Sequence, residues 1–263
     1  DRANMMVEVE AGVITSDLQA TVEKLGLFYP PDPSSVRHST IGGNIACNAG
    51  GPRCLKYGVT GDYVMALEVV LADGRILETG GTAIKNVTGY DLVSLFIGSE
   101  GTLGVITRAI LKLIALPEAK RTGQAIFPRL EDASRAVNAI LWGGIVPATL
   151  ELMDETAINC VEDYMHLGLP RDAEAILIIE TDGDNADAAR DMDVIARICR
   201  DGGAIEMRIA QPAKESDDLW RARRSLSGSP GRNRPNKLGE DISVPRRANP
   251  DPIRGHKEAS DKR

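Results

Sequence analysis

Residues 40–51 read TIGGNIACNAGG, with paired glycines at Gly42-Gly43 and Gly50-Gly51 and with Thr40, Asn44 and Asn48 set around them. Paired glycines let a backbone approach a ligand closely, and successive N–H groups in such a stretch can form an anion-binding nest. The Asn and Thr side chains add neutral donors that do not repel phosphate. Glycines alone would serve a turn between strands equally well; the interleaved Asn, Thr and Ser favour a phosphate cradle. The stretch contains neither GxxxxGK[ST] nor a GxGxxG between strand and helix, which excludes the Walker loop and the Rossmann fingerprint. Just upstream, Pro31, Asp32, Pro33, Ser34 and Ser35 form a prolyl turn whose amides and hydroxyls follow a set curve.

Working outward, 13 of the 26 glycines lie between Gly42 and Gly104, which predicts positive-φ turns and close backbone approaches rather than long helices. Short β-rich runs lie between them: Val64–Leu71, an Asp73-Gly74 turn, Arg75–Thr79 and Leu103–Leu113. Near the N-terminus VEVEAGV alternates like a strand, and Asp17–Leu25 reads as a short helix capped by Ser16 or Asp17 and stopped by Gly26. After Leu116-Pro117 the texture changes. Strands at Gly123–Phe127, Thr149–Met153, Ala175–Thr181 and Ala204–Ile209 alternate with helices at Leu130–Leu141, Glu155–Met165, Asn185–Cys199 and Lys214–Leu226. That order predicts a sheet covered by helices. The fold class expected is α+β, with one domain at 1–120, a second, α/β domain at 121–247 and a disordered tail at 248–263.

The chain has 263 residues, 43% hydrophobic and 26% charged, with a net charge of −7. The charge is uneven. Residues 1–120 carry 10 Lys/Arg against 13 Asp/Glu, residues 121–220 carry 9 against 20, and residues 221–263 carry 12 against 5. The basic C-terminal stretch lacks interleaved aromatics, so nucleic acid is not the expected partner; an anionic small substrate or a solvated tail is. No apolar run approaches the ~18 residues of a transmembrane helix, and no basic-then-apolar leader opens the sequence. Cys47, Cys54, Cys160 and Cys199 form no CxxC pair and read as isolated, buried or partly buried thiols in a reducing cytoplasm. His38, His166 and His256 are scattered, which disfavours a metal-dependent hydrolase; no metal site is expected.

PPDPSS, STIGGNIACNAGG, the Lys85–Asp91 stretch KNVTGYD and Gly98–Ile106 (GSEGTLGVI) occur in one order. Together they resemble the FAD-linked oxidases of the vanillyl-alcohol oxidase class, which have a PCMH-type flavin domain. Within it the chain is similar to the FAD subunits of bacterial glycolate oxidases and to D-lactate dehydrogenases. The resemblance runs from about residue 5 to 247. It implies the C-terminal part of a PCMH-type domain, its first subdomain missing, followed by an incomplete ferredoxin-like cap domain. It also implies FAD contacts from Pro31, Asp32, Pro33 and Ser34, and from Thr40, Gly42, Gly43, Asn44, Cys47, Asn48, Ala49, Gly50, Gly51 and Gly58. Glu100, Gly101, Gly104, Val105 and Ile106 would add amides and a carboxylate near the adenosine or flavin edge. For Cys47 a packing role and a flavin contact stay open. His38 and His166 do not sit where this class attaches flavin, so FAD is expected to be non-covalent.

The same resemblance assigns the second half to the substrate. LELMD at 150–154 and AILIIETDG at 175–183 read as core strands, whereas LWRARR at 219–224 carries Arg223, whose counterpart binds a substrate carboxylate in similar enzymes. A bidentate Arg–carboxylate pair suits a small 2-hydroxy acid. Arg221 and Arg224 read as solvated, and Lys237 as a lesser candidate for the pocket. The implied reaction is oxidation of a glycolate- or D-lactate-type acid to the 2-oxo acid by hydride transfer to flavin. Implied partners are a second flavin subunit and an iron–sulfur subunit, in a cytoplasmic assembly that such partners could bring to the inner membrane. In this class the general base, and in several members a divalent-metal site, come from an HxGDGNxH-type motif beyond EDISVPR (Glu240–Arg246), and residues 248–263 contain no such motif. A truncated or non-catalytic flavin-binding subunit lacking the base is therefore the alternative.

Overall fold

The computed structural model describes residues 1–210, 213–225 and 243, and describes side chains in the last helix at 215–223. The chain divides into two compact units, Asp1–Glu118 and Ala119–Arg263. The tail at 248–263, Lys237, the Glu240–Arg246 stretch apart from Ser243, and the Arg224 side chain lie outside the described residues.

The first unit runs β1 (Met6–Glu10), α1 (Thr15–Glu23), β2 (Leu27–Phe28), α2 (Ile41–Cys47), α3 (Cys54–Tyr57), a 3-10 turn (Thr60–Tyr63), β3 (Val64–Val70), β4 (Ile76–Gly80), α4 (Leu92–Phe96), β5 (Val105–Lys112) and β6 (Ile114–Ala115). Its main sheet is antiparallel in the order β1-β5-β3-β4, and β2 pairs with β6 in a short ribbon. Strand alternation turns Leu67, Val69, Ala109 and Leu111 inward, where they pack with Leu18 and Val22 of α1, Ile41 and Ile45 of α2, and Phe96 of α4. The other face is charged. Arg108 there donates to Glu8 at 2.8 Å and to Glu68 at 2.6 Å. The Thr107 hydroxyl, then Arg108, holds the Glu68 carboxyl below its ordinary range.

Two expectations for this unit need correction. Helix α1 starts at Thr15 with Ile14 at its N-cap and no side-chain cap, not at Ser16 or Asp17. The Thr15 hydroxyl is instead turned to the Ser39 carbonyl at 3.0 Å. More consequentially, residues 41–47 are helical, and none of Gly42, Gly43, Gly50 and Gly51 has positive φ; in this stretch that conformation falls on Asn48, at φ 48°. The need for glycine at 42 is one of approach: a β-carbon there would stand 2.6 Å from that of Ala11.

The second unit runs β7 (Ala119–Phe127), α5 (Leu130–Trp142), β8 (Thr149–Asp154), α6 (Glu155–Met165), β9 (Ala175–Gly183), α7 (Asn185–Asp201), β10 (Glu206–Ile209) and α8 (Ala213–Ser225). Every pairing in its sheet, ordered β10-β7-β9-β8, is antiparallel. On one face Ala125, Phe127, Leu177 and Ile179 pack with Ala133, Ala136 and Ile140 of α5 and Met192, Ile195 and Cys199 of α7. On the other face Ile126, Ile176 and Ile178 meet Ile158 and Val161 of α6 and Ala222 of α8. Strand β9 is thus covered on both sides, which is why its sequence is a continuous apolar run. Pairing of Ala119 with Gly183 extends β7 back to Ala119 rather than Gly123.

Candidate functional site

The predicted cradle is built on α2, and its geometry is not that of a nest. Thr40 caps the helix by accepting from the Gly43 amide at 3.1 Å. The amides of Ile41 and Gly42 are taken by the carbonyls of Val13 and Ala11, each at 2.8 Å. The first amides of α2 therefore already have protein acceptors. Asn44, 3% exposed, is a core residue: its side-chain amide donates to the Thr15 hydroxyl at 2.7 Å. Of the two expected phosphate donors, half-buried Thr40 uses its hydroxyl oxygen as the helix cap, and Asn44 is turned inward because a buried polar group must find a partner inside the protein.

At the other end of α2, three predicted segments meet. The amides of Gly98 and Glu100 close the carbonyls of Ile45 and Ala46 at 3.0 and 2.9 Å, seating the GSEG turn on the helix end. Glu100 (φ 50°) and Gly101 (φ 75°) are exposed there. Asn48 accepts the Gly61 amide at 2.8 Å through its side-chain oxygen. Gly51 lies directly against the prolyl turn, where a β-carbon would stand 2.2 Å from the Asp32 carbonyl oxygen. Asp32 accepts from the Arg53 amide at 3.2 Å and faces its guanidinium at 3.5 Å, while Arg53 stacks over Phe28 at 5.0 Å. Pro31 and Pro33 are buried, and the Pro31 carbonyl accepts from Gln19 at 2.9 Å.

The remaining predicted contacts divide between framework and surface. Ala49 accepts at its carbonyl from the Thr60 amide and hydroxyl, at 3.1 and 2.7 Å. Gly58, at φ 79°, lies against the Asp62 carboxylate, and Gly104 against Val69 and the Val70 carbonyl. Val105, exposed, and Ile106, half-buried, belong to β5, opposite Val70 and Val69. Cys47 is exposed, not the buried or partly buried thiol expected, since it is the last residue of a helix whose buried side is formed by Ile41 and Ile45. Of the predicted contacts in these segments, Ser34, Gly43, Asn48 and Gly50 are also exposed. The Gly43 and Asn48 backbone amides among them are already given to Thr40 Oγ1 and to the carbonyls of Asn44 and Ile45. The KNVTGYD stretch lies wholly exposed, with Val87 at 85% and Tyr90 at 94%.

In the second unit, Arg223 is half-buried, and its Nε donates to Glu151 of β8. It belongs to a polar stripe on α8. Ser216 lies 2.7 Å from the Thr122 hydroxyl of β7, and the Trp220 indole N–H donates to Glu180 of β9 at 3.2 Å. Glu180 is buried, and Lys120 approaches it at 3.9 Å. Residues 216, 220 and 223 share one helical stripe, so α8 is fastened to three strands through polar groups. Arg221 is exposed and pairs with Asp218 at 2.9 Å. Nearby, a cleft of about 340 Å³ is lined by Gln124, Arg208, Asp218 and Leu219. Glu151 and Glu180 lie in strands expected to be core, where a Glu inside an apolar run was the available signal, and Thr122 lies one residue before the strand expected at Gly123–Phe127.

Among the described residues no group of three His, Cys, Asp or Glu side chains could hold a metal ion. No helix of the described residues is long and apolar enough to cross a membrane.

Comparison with known proteins adds family to this geometry. Residues 1–80 match the family model "FAD binding domain", and residues 116–263 match "FAD linked oxidases, C-terminal domain". A glycolate oxidase subunit GlcD of Bacillus subtilis (strain 168) is 50% identical over 94% of this chain and 52% of its own length. The GlcD subunit of Escherichia coli (strain K12) is 40% identical over 94% of this chain and 49% of its own. A D-lactate dehydrogenase of Anaerostipes hadrus is 36% identical over 86% and 49%. The chain thus spans about half the length of these relatives. Two solved structures of an alkyldihydroxyacetonephosphate synthase superpose with TM-scores of 0.69 and 0.70 over 85% of this chain and 42–43% of theirs, at 24% identity, which bears on fold alone. The cofactor of the N-terminal family domain is FAD, and by the match across its second unit the chain belongs to the family of FAD-linked oxidases.

Proposed function

We propose that the chain is part of an FAD-dependent enzyme that oxidises a small 2-hydroxy acid, of the glycolate or D-lactate type, to the 2-oxo acid. The observation that carries this reading is Arg223, a half-buried guanidinium held on a fastened helix, in a chain 50% identical to a glycolate oxidase subunit. An oriented guanidinium recognises a carboxylate through two parallel N–H···O bonds. Bound FAD would supply the acceptor for the hydride leaving the α-carbon. Residues 1–120 are read as the flavin domain and 121–247 as the substrate domain.

In this reading the non-covalent cofactor is met at Ser34, Gly43, Asn48 and Gly50, which are exposed. The prolyl turn, α2 and the GSEG turn act as the frame that holds them. Arg223 binds the carboxylate, orients the hydroxyl-bearing carbon and leaves the hydroxyl proton to a base outside the described residues. The +7 balance of residues 221–263 suits an anionic substrate. A second flavin subunit and an iron–sulfur subunit are the partners proposed to carry the electrons onward.

The test is purification of the full-length protein that contains this chain. Acid precipitation should release FAD into the supernatant, and glycolate or D-lactate should bleach the bound-flavin absorbance under anaerobic conditions. Arg223→Ala should lower kcat/KM by roughly 30-fold or more, from the ~2–5 kcal/mol lost when one partner of a buried charge pair is removed. A flavin that no 2-hydroxy acid reduces would overturn the substrate class, and unchanged kinetics in Arg223→Ala would remove that residue from the site.

A further inference from the structure

We infer that Glu151 is a positioning residue for substrate recognition: it holds the Nε edge of Arg223, so that the two terminal nitrogens meet the substrate carboxylate. This rests on the reading of Arg223 as the carboxylate ligand. A guanidinium offers a carboxylate two bidentate edges, one formed by Nε with a terminal nitrogen and one by the two terminal nitrogens. In this chain the Nε donor is already given to Glu151.

Both partners are mounted on fixed elements. Glu151 stands opposite Ile178 of β9, the strand buried on both faces. Arg223 is on α8, whose Ser216 and Trp220 fasten the same helical stripe to Thr122 and Glu180. The Glu151 and Arg223 side chains are 19% and 27% exposed, so neither is free to swing as a surface ion pair would. Fixing a long, rotamer-rich side chain before binding removes an ordering cost that the substrate would otherwise meet. Glu151 also offsets the Arg223 charge, so recognition depends on the matched N–H···O geometry more than on unspecific attraction of anions. A carboxylate is then preferred to a spherical anion such as chloride.

The experiment uses the full-length holoenzyme with Glu151→Ala, Glu151→Gln, Glu151→Asp and Arg223→Ala. Two quantities are read: KM and kcat for glycolate, and the Kd of oxalate, a carboxylate that cannot give up an α-hydrogen, by calorimetry. Glu151→Ala should raise KM and the oxalate Kd at least tenfold with kcat within threefold of the parent. Glu151→Gln keeps a carbonyl acceptor for Nε–H and should restore both to within threefold, and Glu151→Asp should fall between. If Arg223→Ala leaves both quantities unchanged, the reading of Arg223 fails, and this inference with it. If Arg223→Ala weakens both while Glu151→Ala leaves them alone, only the inference fails. It fails equally if Glu151→Gln behaves as Glu151→Ala does, or if the Glu151 variants lose melting temperature while retaining the parent KM.

Discussion

Gly51→Ala should destabilise the N-terminal unit, and Gly43→Ala, eight residues earlier on the same motif, should not. A β-carbon on Gly51 would lie 2.2 Å from the Asp32 carbonyl oxygen, 2.5 Å from its carbonyl carbon and 2.6 Å from its Oδ1. These are mostly backbone atoms between two buried prolines, so the clash cannot be relieved by a rotamer change. Relief requires moving the prolyl turn by about 1 Å, an overpacking cost of about 1–3 kcal/mol. Such a movement also draws Asp32 from the Arg53 amide and guanidinium, adding roughly 1 kcal/mol. The sum is about 2–4 kcal/mol. At Gly43 the added carbon meets only the Thr40 hydroxyl, at 3.2 Å, and the gain of Ala over Gly in a helix is about 1 kcal/mol. Urea titration of the two variants, followed by far-ultraviolet circular dichroism, measures the difference. Flavin retention separates the roles further: Gly43→Ala should lose FAD affinity with no loss of stability if that exposed glycine faces the cofactor. Equal urea midpoints for Gly51→Ala and Gly43→Ala would refute the packing argument.

Three further outcomes are expected. Burial, with Asp62 and Cys54 nearby, pushes the Tyr63 hydroxyl up to about 12 from an unfolded value near 10. Its contribution is complete below pH 10 and is lost as pH rises to 12, at up to ~1.4 kcal/mol per pH unit; urea midpoints from pH 9 to 11.5 should fall, and fall less steeply in Tyr63→Phe. Asn44→Leu should cost about 1–3 kcal/mol by removing a buried donor from Thr15, read as a lowered midpoint at neutral pH. In iodoacetamide labelling at pH 8 followed by peptide mass spectrometry, exposed Cys47 should react first. Cys199, whose thiol burial pushes up to about 11, should react only after denaturation.

Much of this architecture was legible along the chain. Val64–Leu71, the Asp73-Gly74 turn and the alternating elements after residue 120 announce themselves through period-2 and period-3.6 apolar spacing. The helix at 41–47 did not, because two glycines and an asparagine read locally as loop, whereas Thr40 as cap and burial of Ile41 and Ile45 outweigh their low propensity. The candidate substrate site was legible as one residue, Arg223. Its partner Glu151 lies 72 positions away, a separation at which no local pattern operates.

By itself the sequence determined a glycine-dense first domain followed by a helix-covered sheet, since composition and period are written in neighbouring residues; the flavin entered through the family resemblance of its motifs. Only the tertiary structure decided what each polar residue does. It turned Asn44 inward to Thr15, engaged Asp32 with Arg53, left Asn48 and Gly50 facing out, and fastened Arg223 to Glu151. The physical reason is that a buried donor or acceptor must be satisfied by whatever group the fold brings beside it. In this chain that group comes from another element, 21 to 72 positions away along the sequence.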